Sequence, residues 1–152
     1  MEYSKELDEK DTRSDDEKTA EIRVKIANSL EKNIQFTWDV PGKNSNGRMP
    51  VLDLAVWIQE VNGIQTIQHS FYKKPVASPC TILKRSALSF KIKRSTLLQK
   101  ALRRLGNVSP TLPWSESITH LAEYSNMLRI SGYTVRERLN NVKGATERHR
   151  QM

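Results

Sequence analysis

The apolar positions change period along the chain. Ile22, Ile26 and Leu30 recur every four residues, with Ala27 beside them and charges on the other face. That spacing predicts a helix, capped by Ser14 or Asp15 and ending near Asn33. Ile34, Phe36 and Trp38 then alternate with Gln35, Thr37 and Asp39. A period of two predicts a strand with one buried face, ended by the Pro-Gly and Asn-Gly pairs between Pro41 and Gly47.

Val51 to Ile58 is apolar on one parity (Leu52, Leu54, Val56, Ile58) and mixed on the other (Val51, Asp53, Ala55, Trp57), which predicts a second strand. Asn62-Gly63 supplies the positive φ angles of a type I′ turn, so a hairpin to residues 64–73 follows, and Pro75 in Lys73-Lys74-Pro75 ends it by removing a backbone donor. Beyond it the period becomes helical. Leu97, Leu98, Ala101, Leu102 and Leu105 share a face before a stop at Gly106. Ser115 is placed to cap a helix carrying Ile118, Leu121, Ala122 and Leu128, stopped by Gly132. Thr134 and Glu137 have capping-box spacing ahead of a helix through Leu139, Val142 and Ala145. The expected fold class is α+β: an N-terminal helix and a small antiparallel sheet, followed by three helices.

Charge sharpens this outline. The 152 residues carry a formal +8, but residues 1–18 hold eight acids against four bases. That head is −4, which leaves +12 on the remainder. With only Tyr3 and Leu7 as sizeable apolar groups, the head is expected to be disordered. From Val61 to Ser115 there are 55 residues with ten cations and no Asp or Glu. Surfaces ordinarily intersperse both signs, so a one-signed stretch points to a polyanionic partner, nucleic acid above all. Lys73, Lys74, Lys84, Arg85, Lys93, Arg94, Lys100, Arg103 and Arg104 are the expected phosphate contacts, lining one groove. Phe71, Tyr72 and Phe90 interleave with them as candidate stacking platforms, although core packing is the commoner fate of a residue such as Phe71.

Other chemistry finds less support. Cys80 is the only cysteine, so an intrachain disulfide and a cysteine-rich zinc site are both excluded, and an intracellular location, nuclear or cytoplasmic, is expected. No apolar run predicts a signal peptide or membrane span. Asp15-Asp16 sits in a polar setting and reads as a solvated tail or helix start rather than a metal site. Asp53 lies inside an apolar strand, where a carboxylate is costly unless paired, and is expected to pair with a basic residue of the neighbouring strand. His69 reads as a strand-face residue and His120 as a helix-surface one. Ser86, Ser109 and Cys80 lack the glycines of a nucleophile elbow.

Several short motifs add a family resemblance. Met49-Pro50-Val51-Leu52-Asp53-Leu54-Ala55-Val56-Trp57-Ile58, then His69-Ser70-Phe71-Tyr72-Lys73-Lys74-Pro75, then Ala101-Leu102-Arg103-Arg104-Leu105, and finally Ser131-Gly132-Tyr133 follow one another over about residues 20–150. In order and spacing they resemble the downstream part of reverse transcriptases from animal mobile elements, closest to the Penelope-like group and related retroelements. The resemblance implies closing palm strands over residues 19–75 and a thumb-like helical segment over residues 76–150, gripping primer-template. The family's catalytic aspartates, one in an early strand and two in an aromatic-x-Asp-Asp hairpin, lie upstream of the matched part, and Arg13-Ser14-Asp15-Asp16 does not fit that pattern.

The expectation is therefore a non-catalytic segment that binds RNA, DNA or an RNA–DNA hybrid. No cofactor is implied in this chain; divalent metal belongs to a complete polymerase, whose upstream palm is a possible partner. If the gene extends upstream, the segment is part of an active RNA-directed DNA polymerase. The rival expectation is a protein-interaction module using the acidic head and an exposed Leu97, Leu98, Leu102 and Leu105 face.

Overall fold

The computed structural model describes residues 14–30, 33–39, 44 and 46–152. The chain divides into two compact units, Met1–Gly47 and Arg48–Met152. In the first, α1 (Asp15–Leu30) opens on a capping box. Ser14 Oγ accepts from Glu17 N at 3.3 Å, and Ser14 N donates back to Glu17 Oε2 at 3.1 Å, which satisfies donors the first helical turn leaves open. Asp15 to Lys18, read from the sequence as the end of a disordered head, are thus helical; the head up to Arg13 lies outside the described residues.

The strand predicted over Ile34, Phe36 and Trp38 does not form. Residues 34–39 have no regular secondary structure and no strand partner among the described residues. The Asn28 carboxamide takes that place, accepting from Phe36 N at 2.6 Å and donating to Phe36 O at 3.1 Å. A period of two establishes which side chains share a face, but a strand also needs a second backbone.

The second unit begins with the sheet. β1 (Met49–Val51), β2 (Leu54–Val61) and β3 (Ile64–Phe71) form an antiparallel meander in the order β1-β2-β3. The single strand expected over Val51 to Ile58 is broken by a two-residue turn at Leu52 and Asp53, with Leu52 at φ 58° and Val51 facing Leu54. The next turn agrees with expectation: Asn62 and Gly63 have φ of 54° and 78°, and Val61 pairs with Ile64. β3 stops at Phe71, two residues before the expected end. The sheet has the expected three strands, but β1 replaces residues 34–38.

Three helices follow: α2 (Phe90–Gly106), α3 (Trp114–Ile130) and α4 (Val135–His149). Ser89 caps α2 through its side chain. The expected Ser115 cap is displaced to Pro113, because Trp114 and Ser115 are already helical; proline suits this boundary, where no backbone N–H is required. After α3, Gly132 takes φ 91°, a conformation that favours glycine. Thr134 and Glu137 form the full capping box of α4. Among the described residues the fold is α+β, an N-terminal helix, a three-stranded antiparallel sheet and three helices, and no helix is long and apolar enough to cross a membrane.

Leu97, Ala101 and Leu105 of α2, Leu121, Tyr124 and Leu128 of α3, and Ala145 of α4 make the core, with Leu98 and Leu102 packed against it. Of the leucine face that the interaction-module reading left exposed, Leu97 and Leu105 are buried, and Leu98 and Leu102 are half-buried against them. The sheet joins these helices through β3. Ser109 N donates to His69 O and Ser109 Oγ accepts from His69 N, both at 2.8 Å. Thr111 Oγ1 donates to Gln68 Oε1 at 2.6 Å. The loop after α2 thus occupies part of the β3 edge, where unpaired backbone would otherwise be a template for another chain. Because of this joint, sheet and helices share one compact unit. The division between the two units falls between Gly47 and Arg48.

Candidate nucleic-acid interface

The nine cations chosen from the sequence have different fates. Arg104 points inward and is only 7% exposed. Its guanidinium lies 4.6 Å from the centroid of Phe71 and 4.5 Å from that of Tyr124. It donates to Lys100 O at 3.1 Å and to Met127 Sδ at 3.3 Å, and burial lowers its pKa from the usual arginine value. A guanidinium held between two rings joins β3 to α2 and α3 and is out of reach of a phosphate, which corrects the expectation for Arg104 and assigns Phe71 to packing.

Arg103 meets Asp53. Its Nε donates to Asp53 Oδ2, which also accepts from Asn107 Nδ2 at 2.9 Å. The Arg103 hydrogen bond holds the Asp53 carboxyl below its ordinary range. Asp53 is therefore paired, as its apolar setting required, but with α2 rather than with the neighbouring strand. Its position in the β1–β2 turn aims it at the end of that helix.

Three lysines fasten the segment between β3 and α2. Lys84 Nζ donates to Glu137 Oε2 at 2.9 Å. Lys93 Nζ donates to Lys84 O and Ser86 O, both at 2.7 Å. Lys100 Nζ donates to Thr81 Oγ1 at 2.8 Å. The segment is thereby held by three ammonium groups. Lys73, Lys74, Arg85 and Arg94 have no side-chain partner among the described residues.

The structure brings Lys84, Lys93 and Arg94 to one cleft of about 730 Å³ between α2 and α4 and adds Lys143 and Arg148 from α4. Lys73, Lys74, Arg85 and Lys100 are not part of its lining. Leu97, Leu98, Leu128 and Tyr133 contribute apolar surface, and two acids, Glu137 and Glu147, also line it. Glu137 is already committed: the Lys84 hydrogen bond and then the Thr134 backbone bring its pKa down from 4.5 to about 2. Glu147 faces Lys143 at 3.8 Å. The rim keeps a positive surplus.

Lys143 and Arg148 were missed from the sequence because acids interleave with bases along α4, so no one-signed run marks them. Their helical spacing holds the signal. Gly144 and Arg148 are four residues apart and share a face, as do Arg94 and Leu98 on α2.

A second cluster was also missed. Ser70 Oγ, on a residue 1% exposed, donates to Glu116 Oε1 at 2.8 Å and lies 2.7 Å from His120 Nε2. With the serine hydrogen given to Glu116, Nε2–H donates to Ser70 Oγ, and His120 Nδ1 is left buried without a partner. Burial lowers the His120 pKa from 6.5. In a nucleophilic triad the carboxylate orients the other ring nitrogen and the serine faces substrate; here neither condition holds, and the cluster clasps β3 to α3. His120 is thus an inward clasp residue rather than a surface one, with its ring edge against Phe71 at 5.6 Å. His69 keeps its strand position, its Nδ1 3.2 Å from Asn107 O.

Among the described residues, no three His, Cys, Asp or Glu side chains converge as a metal site would require. The chain matches no protein-family model, no curated protein and no solved structure.

Proposed function

We propose that this chain binds nucleic acid through the basic rim of the α2–α4 cleft and has no catalysis of its own, as the resemblance to the downstream, duplex-gripping part of retroelement reverse transcriptases implies. The observation that supports it best is the convergence of cations from three separate places, the loop after β3, α2 and α4, on one concave surface whose acids are already paired. Like charges gathered on a concavity raise the local potential and attract a polyanion. Arg94 and Arg148 are the principal phosphate contacts, with Lys93 and Lys143 beside them. Lys74 and Arg85 add exposed charge elsewhere on the acid-free stretch, and Lys73 a half-buried one. Such contacts position a backbone and carry little base specificity.

The test is fluorescence anisotropy of a labelled RNA–DNA hybrid, titrated with salt between about 50 and 200 mM, with dextran sulfate as a control polyanion. Preferential hybrid binding is expected, with log affinity falling linearly against log salt. The double variant Arg94→Gln, Arg148→Gln should flatten that slope by roughly two units, about 0.9 for each phosphate no longer neutralised. An unchanged slope, or no preference for the hybrid over dextran sulfate, would remove the proposal.

A further inference from the structure

The α2–α4 cleft has more than a basic rim. Phe90, Arg94 and Leu98 follow one another at intervals of four along α2, and Gly144 and Arg148 do the same on α4. A smaller cavity of about 260 Å³ adjoins the cleft, and Phe90, Arg94, Leu98 and Arg148 line both. Two guanidiniums on facing helices therefore border the same spaces, and neither has an ion-pair partner among the described residues. Like charges so placed repel unless an anion lies between them. Phe90 and Tyr133 add two aromatic rings to the lining of the main cleft.

We infer that the cleft takes one unstacked nucleotide of a single strand, its phosphate between Arg94 and Arg148 and its base over Leu97, Leu98 and Tyr133. This rests on the nucleic-acid reading and deepens it by naming the occupant. A cleft of about 730 Å³ is within the usual range for small-molecule sites and has room for a nucleotide. An acyl anion would match the apolar floor and the arginines, but a nucleobase also stacks on the aromatic rings of Phe90 and Tyr133 in the lining. A nucleobase presents a flat apolar face and a polar edge together. The glycine at 144 keeps the α4 wall low: a Cβ there would lie 3.8 Å from Leu98 Cδ1, so longer side chains at 144 extend into the space the base occupies.

The experiment compares a labelled single-stranded oligoribonucleotide with an abasic ribose-phosphate strand of equal length and charge, by anisotropy on the wild-type chain. The strand with bases should bind on the order of tenfold more tightly, the increment expected of a base stacked in a pocket. Equal affinity for the two strands overturns the inference and leaves the charge reading standing; failure to bind either strand while the hybrid still binds overturns the inference alone, and failure to bind the hybrid as well overturns both. In Gly144→Leu, which changes no charge and replaces glycine within a helix by a better helix former, the ratio should fall to about one. A ratio that survives in the folded variant overturns this cleft as the site. A wild-type readout supports the variant: adenosine 5′-monophosphate should shift the amide resonances of Leu98 and Gly144 ahead of those of Asp53 and Ser70, and the reverse order counts against the site.

Discussion

Replacing Arg104 by alanine separates a core arginine from a phosphate-binding one. The side chain is removed from between the Phe71 and Tyr124 rings, each within 4.6 Å, and from its hydrogen bond to Lys100 O. Each cation–π interaction at a desolvated site is worth about 1–2 kcal/mol, and a charged hydrogen bond about 1.5–3 kcal/mol. Against these stands the cost of burying the guanidinium, several kcal/mol, which alanine removes. Truncation also leaves a cavity beside the Tyr124 ring, and cavities in cores add to the loss. The balance is a destabilisation of about 2–3 kcal/mol, typical of a large truncation of a packed side chain. With a urea m-value of about 2 kcal/mol/M, the unfolding midpoint should fall by about 1–1.5 M.

Urea unfolding followed by tryptophan fluorescence reads this directly, beside hybrid binding measured well below the midpoint. Arg104→Met, which keeps most of the volume and abolishes the buried charge, should lose much less, in line with apolar replacement of buried ionic groups. Arg94→Ala should leave the midpoint within roughly 0.3 M, as exposed substitutions generally do, and weaken binding. The reasoning is refuted if Arg104→Ala unfolds at the wild-type midpoint and loses binding as Arg94→Ala does. That pattern would mean that Arg104 reaches the ligand.

Leu52 is 82% exposed with φ 58°, so Leu52→Asn removes little packing and relieves left-handed strain; an increase of about 0.5–1 kcal/mol in urea stability is expected, and a decrease would show that the turn geometry is misjudged. Thr134→Ala removes one half of the α4 capping box and should cost about 1 kcal/mol by thermal melting. Because Glu137 has its folded pKa depressed to about 2, its contribution is present above its unfolded value of 4.5 and disappears as pH falls toward 2; Glu137→Gln should flatten the stability curve across that window. His120 has a folded pKa below 6.5, so the unfolded chain binds the extra proton first and stability should rise with pH through that value. Urea midpoints of His120→Asn that keep the wild-type pH slope near neutrality would assign that slope to another group.

The helical half of the molecule was legible in the sequence because its signals are local. The α2 leucines, the Thr134–Glu137 spacing, Gly132 and Asn62-Gly63 each act through backbone and neighbours within one turn, and each has the role its chemistry demands. The α+β class follows from the same change of period. Where partners lie far apart in the chain, pattern alone was insufficient. Ile34, Phe36 and Trp38 alternate as a strand would, yet Asn28 satisfies the Phe36 amide and carbonyl, and a positive φ at Leu52 folds Met49–Val51 back as the third strand.

Charge shows the division most clearly. Composition alone established that 55 residues carry cations and no acids, because counting needs no coordinates. Which cations remain available was a tertiary decision. Packing set Arg104 between two rings, brought Asp53 to Arg103 and Glu137 to Lys84 across about fifty residues of chain, and turned Arg148 of α4 toward the cleft that Arg94 of α2 also lines. Electrostatic pairing depends on distance in space and burial, and neither quantity is a function of sequence separation.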